Sequence, residues 1–107
     1  MRRGFVIIGT VEDSDPTALP VPPGIVAADL LFYGAGDADG TADVTLDYAG
    51  GSPEVFVSVV MTGSPINVGT AGIRVAVADN FPARISVTRS VDAAGILTVA
   101  CLPRIVV

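Results

Sequence analysis

Carboxylates are the chemically capable side chains that this sequence sets closest together. Asp37, Asp39 and Asp43 fall around Gly40. Hard cations such as calcium favour several carboxylate oxygens on a flexible loop, so the spacing admits a calcium site. It equally admits a solvated turn in which Asp serves turn geometry. The further acidic ligand and distal glutamate of an EF-hand loop are missing, which favours the turn. The run Glu12-Asp13-Ser14-Asp15 carries the same two readings. Glycoside hydrolysis would need two carboxylates fixed across a sugar-binding cleft. The six aromatics, Phe5, Phe32, Tyr33, Tyr48, Phe56 and Phe81, include no tryptophan and are a weak sugar platform.

Other chemistries fall by inventory. The chain has no histidine, which removes Ser-His-Asp and Cys-His catalysis. It has no lysine for a Schiff base. Its one cysteine, Cys101, lies in the apolar run from Ile96 to Leu102. It is expected to be a buried small hydrophobe, and a zinc site has too few Cys and His ligands. Gly34-Ala35-Gly36 does not precede a helix pattern, so it is no phosphate-binding loop. The expectation is a protein that is not an enzyme, with no catalytic, metal or cofactor-binding residue and no cofactor.

Charge narrows the partners. Eleven acids against six arginines give a net charge of −5. An acidic chain repels phosphate backbones and anionic lipid, which disfavours nucleic acid and membrane surfaces. Arg2-Arg3 is too small a cluster to make a basic arm. Arg74, Arg84, Arg89 and Arg104 fall on or beside expected strands. They either meet acidic groups of a neighbouring protein, bidentately, or pair with nearby Asp residues on solvated faces at about 0–1 kcal/mol each. No apolar run approaches transmembrane length. The apolar stretch Phe5 to Ile8 is too short for a secretion signal. The protein is expected to be made in the cytoplasm and to stay soluble or join an assembly.

The elements that would position these residues are strands. Val44-Leu46-Tyr48, Ile73-Val75-Val77 and Ile85-Val87 alternate with polar residues at period two. The pattern predicts seven or eight strands, near 4–11, 25–33, 42–49, 54–62, 72–78, 83–91, 95–101 and 104–107. Turn chemistry separates them. Asp39-Gly40 reads as a hairpin signal, Gly50-Gly51-Ser52-Pro53 as a turn, and Gly63-Ser64-Pro65 as the start of a longer loop. Pro16, Pro20, Pro22 and Pro23 predict an extended, strand-incompetent linker over 16–23. With 107 residues and no disulfide possible, the chain is one domain. The expected architecture is an all-β, antiparallel β-sandwich, Ig-like or jelly-roll-like. Residues 1–23 would form an extended N-terminal strand or arm with its linker, and 24–107 the sandwich core.

Half the residues are hydrophobic and the mean hydropathy is +0.65. A small domain cannot hide that much apolar surface by itself, so partner subunits are expected to cover part of it. Stretches 25–33 and 54–62 are apolar at both odd and even positions. A single-core sandwich leaves one face of such a strand for another chain. Asp29 interrupts the first stretch. It is expected at an edge or end that reaches water, or opposite an arginine of a neighbouring subunit.

Gly24-Ile25-Val26-Ala27-Ala28, Ala42-Asp43-Val44-Thr45-Leu46, Val75-Ala76-Val77-Ala78-Asp79, Arg84-Ile85-Ser86-Val87 and Ala94-Gly95-Ile96-Leu97-Thr98-Val99 resemble small proteins encoded among the head genes of tailed bacteriophages. The resemblance spans 24–102, with nothing matching over 63–72. It implies a capsid decoration or other auxiliary virion protein, β-rich and often trimeric. The implied partners are the major capsid protein or other virion proteins, and further copies of the chain. A tail, fibre or head–tail-joining subunit is the alternative; an adhesion or carbohydrate-binding module stands behind both.

Overall fold

The computed structural model describes residues 5–12, 14–35, 38–50, 55–69, 72–77, 80–91 and 93–106. These residues form nine strands and no helix. They are β1 (Val6–Val11), β2 (Thr17–Pro20), β3 (Ile25–Ala35), β4 (Thr41–Ala49), β5 (Phe56–Val60), β6 (Ile66–Asn67), β7 (Ile73–Val77), β8 (Arg84–Arg89) and β9 (Ile96–Val106). One sheet has the order β1-β9-β3-β7 and the other β2-β8-β4-β5, with β6 also on β4. Every pairing is antiparallel. The principal extents are 37 × 36 × 19 Å, a slab two sheets thick. The chain is an antiparallel β-sandwich.

The period-two pattern fixes the interior. Leu30 and Phe32 of β3, Val44 and Leu46 of β4, Ile85 and Val87 of β8, and Leu97, Val99 and Cys101 of β9 are buried between the sheets. Cys101 is fully enclosed, and burial pushes its thiol above the usual range. β1 lies beside β2 at one flank. There a Cβ on Gly9 would sit 2.7 Å from Leu19, so the two sheets close over a backbone without a side chain.

Four expectations need correction. Residues 17–20 are not strand-incompetent: β2 pairs with β8 from Thr17↔Val87 to Pro20↔Arg84. The strand lies at a sheet edge, where a proline's missing N–H breaks no ladder. β1 and β2 thus belong to this chain's own sheets, and residues 6–11 and 17–20 do not form a reaching arm. The stretches at 95–101 and 104–107 join in one strand, β9. Pro103 is accommodated where β3 and β9 shift register at Ala27 and Ala28. Asp39-Gly40 does not close a hairpin, because β3 and β4 lie in different sheets.

The fourth concerns Arg89, whose side chain is buried rather than on a solvated face. It spans the end of the sandwich and donates to four carbonyls. Nη1 reaches Gly95 at 2.7 Å and Val11 at 3.2 Å; Nη2 reaches Asp39 and Ala94, both at 2.8 Å. The Ala94 N–H in turn donates to the Asp39 carboxylate at 2.8 Å. The fork of a guanidinium can serve carbonyls from several directions; an ammonium cannot do so with one rigid geometry. Arg89→Met is expected to leave these acceptors without their donors and to lower the unfolding free energy by about 3 kcal/mol. Urea denaturation checks this. A loss below about 0.5 kcal/mol would show that the clamp is dispensable.

Candidate docking surface

β5 forms the edge of its sheet, pairing with β4 from Thr45↔Val60 to Ala49↔Phe56. Paired residues share a face. Val57 and Val59 therefore lie on the side of Tyr48 and Leu46, the inner side. Yet Val55, Val57, Val59 and Val60 are 50, 58, 49 and 71% exposed. β5 and β7 end the two sheets at the flank opposite β1 and β2, and the sandwich is open there. A second apolar area lies by β1, where Phe5 and Ile7 are 64 and 62% exposed.

The backbone of β5 has a defined polarity. Met61 N–H donates to Val44 O at 3.0 Å, and Gly50 N–H to Val55 O at 2.8 Å. Bonds in an antiparallel ladder recur at every second residue. Val57 and Val59 thus also turn their N–H and C=O groups towards β4. Phe56, Ser58 and Val60 present theirs on the side away from β4, where no other strand of the described residues pairs.

The outer side of this edge is braced by a polar network. Asp47, one of the polar residues that alternate with Val44-Leu46-Tyr48, is 1% exposed although it points away from the core. Register sets it between Ser58 of β5 and Arg84 of β8. Ser58 donates to it at 2.7 Å, Ser86 at 2.5 Å and Arg84 Nε at 2.8 Å. The Arg84 guanidinium also stacks 3.9 Å from the centroid of Phe56, closing over the carboxylate. Burial pushes the Asp47 carboxyl up, but bonds from Ser86, Ser58 and Arg84, with the Arg84 charge, outweigh it. Its carboxyl is held below the ordinary 3.8.

The opposite sheet repeats the device. Asp29 is buried on the outer side of β3, a central strand, which corrects the edge-or-end expectation. Its partners come from this chain. Arg74 Nε donates to Oδ2 at 2.7 Å, joined by Arg74 Nη2, and Arg104 Nη2 lies 3.5 Å from Oδ1.

The acidic loop comes together less well. Asp37 and Asp13 lie outside the described residues. Asp39 is engaged with Ala94 and Arg89, while Asp43 lies exposed along β4. Among the described residues no three His, Cys, Asp or Glu side chains gather in a metal-binding group. No helix among them is long and apolar enough to cross a membrane. An open cavity of about 410 Å³ sits between the proline segment and the end of β4, lined by Pro22, Pro23, Tyr48, Asn80, Phe81 and Pro82 among others. Its described lining residues include no carboxylate, arginine or cysteine, and Tyr48 is their one titratable side chain.

Comparison with protein-family models, with curated proteins and with solved structures finds no match to this chain.

Asp47 generates a pH-dependent expectation. A carboxyl with a lowered folded pKa stabilises the fold above its unfolded value and loses that contribution as pH falls through the folded value. Asp47→Asn should cost about 2 kcal/mol at neutral pH. Most of this reflects the serine bonds and burial, since Arg84 is more than a third exposed and its attraction is screened. The difference from wild type should shrink as pH drops below 3.8. Denaturation curves across that range check it; a pH-independent difference would assign the cost to packing alone.

Proposed function

We propose that this chain is a structural protein of a tailed-phage particle, a decoration or cement subunit that binds the head through protein–protein contacts. The observation that supports this most is the distribution of exposed apolar side chains. Among the described residues, Val55, Val57, Val59 and Val60 cluster on and beside β5 and Phe5 and Ile7 lie together by β1, while Tyr33, Val91 and Ile96 are exposed elsewhere. Contiguous apolar surface on a small domain marks an interaction site. The charge of −5 fits a protein partner better than nucleic acid or anionic lipid. The sequence stretches that resemble phage head-gene products supply the particle as the setting. Within it, the partner is the major capsid protein or another virion protein, and the chain passes from the host cytoplasm into the virion.

The mechanism is cementing. A rigid sandwich lays apolar surface across a joint between capsid subunits. Separating those subunits then also means exposing the covered area to water. Specific contacts of this kind bury about 1,200–2,000 Å² in total, and repetition over a lattice adds avidity without new chemistry. The Asp29 and Asp47 networks keep the outer faces of both sheets stiff, so little order has to be gained on docking.

Co-sedimentation with heads of the phage whose head genes flank this gene tests the reading. The wild-type chain is expected to pellet with heads and to raise the temperature at which they open. Ile7→Asp should weaken binding by about tenfold or more while leaving the melting temperature of the free chain unchanged, because Ile7 is exposed. A wild-type chain that stays in the supernatant, or a gene found outside any phage genome, would overturn it.

A further inference from the structure

We propose that the β5 edge is a strand-pairing site for a second copy of this chain, joined antiparallel about a two-fold axis at Ser58. The inference rests on the docking reading above and names one partner for one of its surfaces.

Free sheet edges are normally guarded against pairing by charge, proline or a bulge. Of the four strands that end the two sheet orders, leaving aside the two-residue β6, three carry such a guard. β2 ends at Pro20 and follows Pro16. β7 carries Arg74. β1 is broken by the register shift between Ile7 and Gly9. β5, with the sequence FVSVV, has none of them. Its own five residues carry no charge, and the one cation against it, Arg84 over Phe56, is paired with Asp47 of the same chain, so a second copy can approach without setting like charges of the paired strands opposite each other.

The geometry selects the register. The groups facing outward are those of Phe56, Ser58 and Val60, and a new antiparallel strand must bond to these. Pairing β5 with itself about Ser58 sets Phe56 opposite Val60 of the second copy, and Ser58 opposite Ser58 of the second copy. Each of these is a pair that exchanges two main-chain hydrogen bonds. The same register sets Val57 opposite Val59 of the second copy on the inner side. Every apolar side chain of the strand then meets another, while each Ser58 hydroxyl keeps its bond to Asp47 of its own chain. Moving the register by one residue would pair outward groups with inward ones and lose the ladder. An isologous contact of this kind closes at two copies, rather than at the three that the resemblance implies. The four exposed valines leave on the order of 350 Å² of apolar surface per copy, which places the contact among small, reversible interfaces. The dimer should therefore depend on concentration.

Sedimentation equilibrium on the purified chain, without heads, tests this. Expected is a monomer–dimer equilibrium between micromolar and submillimolar concentrations. Val60→Pro removes an outward N–H and leaves the bonds to β4 in place; Val57→Lys puts a charge opposite an apolar partner. Each should weaken dimerisation by at least about tenfold with the circular dichroism spectrum unchanged. Ser58→Cys should form a disulfide-linked dimer on oxidation, since Cα atoms of such pairs lie about 5.5 Å apart. Cys101 is fully buried and does not compete. A chain that is monomeric throughout, a trimer, a folded Val60→Pro that still dimerises, or Ser58→Cys that does not cross-link would overturn the pairing. A monomer that still binds heads overturns only the pairing; a dimer indifferent to heads overturns only the particle role.

Discussion

A two-sheet sandwich has one interior and four outer strands, and this chain carries more apolar surface than that interior can take. The constraint orders much of what is seen. Where both sheets are present, at β3, β4, β8 and β9, alternate side chains vanish into the core. At the β5–β7 flank the sheets do not close over each other, and valines on the inner side of β5 remain about half exposed. Burying them would gain apolar transfer free energy of about 25 cal/mol per Å². The fold alone does not collect it.

The outer faces meet the opposite problem, that of carrying polar residues on central strands without loosening them. Each sheet solves it with one aspartate. Asp29 on β3 and Asp47 on β4 both project away from the core, and each is bonded by an arginine from the adjacent strand, Arg74 or Arg84. These pairs bind neighbouring strands across the sheet and cover the carboxylates with arginine stems. At the end of the sandwich, Arg89 uses carbonyls in place of a carboxylate and ties the segment before β4 to that before β9. The arginines expected as contacts for a partner are thus largely occupied inside the chain, and the apolar edge is left as the surface that a partner would complete.

Much of this was legible in the residues. The alternation in Val44-Leu46-Tyr48 and Ile85-Val87 marked real core strands, and the two-sided apolar character of 54–62 marked the strand that stands uncovered. The same character in 25–33 pointed to a face left for another chain, but composition does not say whether a strand is central or at an edge; β3 is central, and its outer face carries the buried Asp29 with Arg74 and Arg104 of this chain. Asp47 and Arg89 were missed for a related reason. Most of their partners are 11 to 78 positions away in the chain, with only Ala94 and Gly95 close to Arg89 in sequence, and the fold's pairing brings the distant ones together. Pro20 misled because it is harmless at an edge, and the break expected between 101 and 104 is bridged by a strand that carries Pro103 beside a register shift. Both depend on what lies alongside, which the local sequence does not contain.

Amide hydrogen exchange along β5, followed residue by residue at rising protein concentration, tests the uncovered edge most directly. In dilute solution the amides of Phe56, Ser58 and Val60 should exchange fast and those of Val57, Val59 and Met61 slowly, because only the latter donate to β4. As concentration rises, the fast set should become protected. A fast set that stays fast at every concentration, or no alternation at all, would contradict the account.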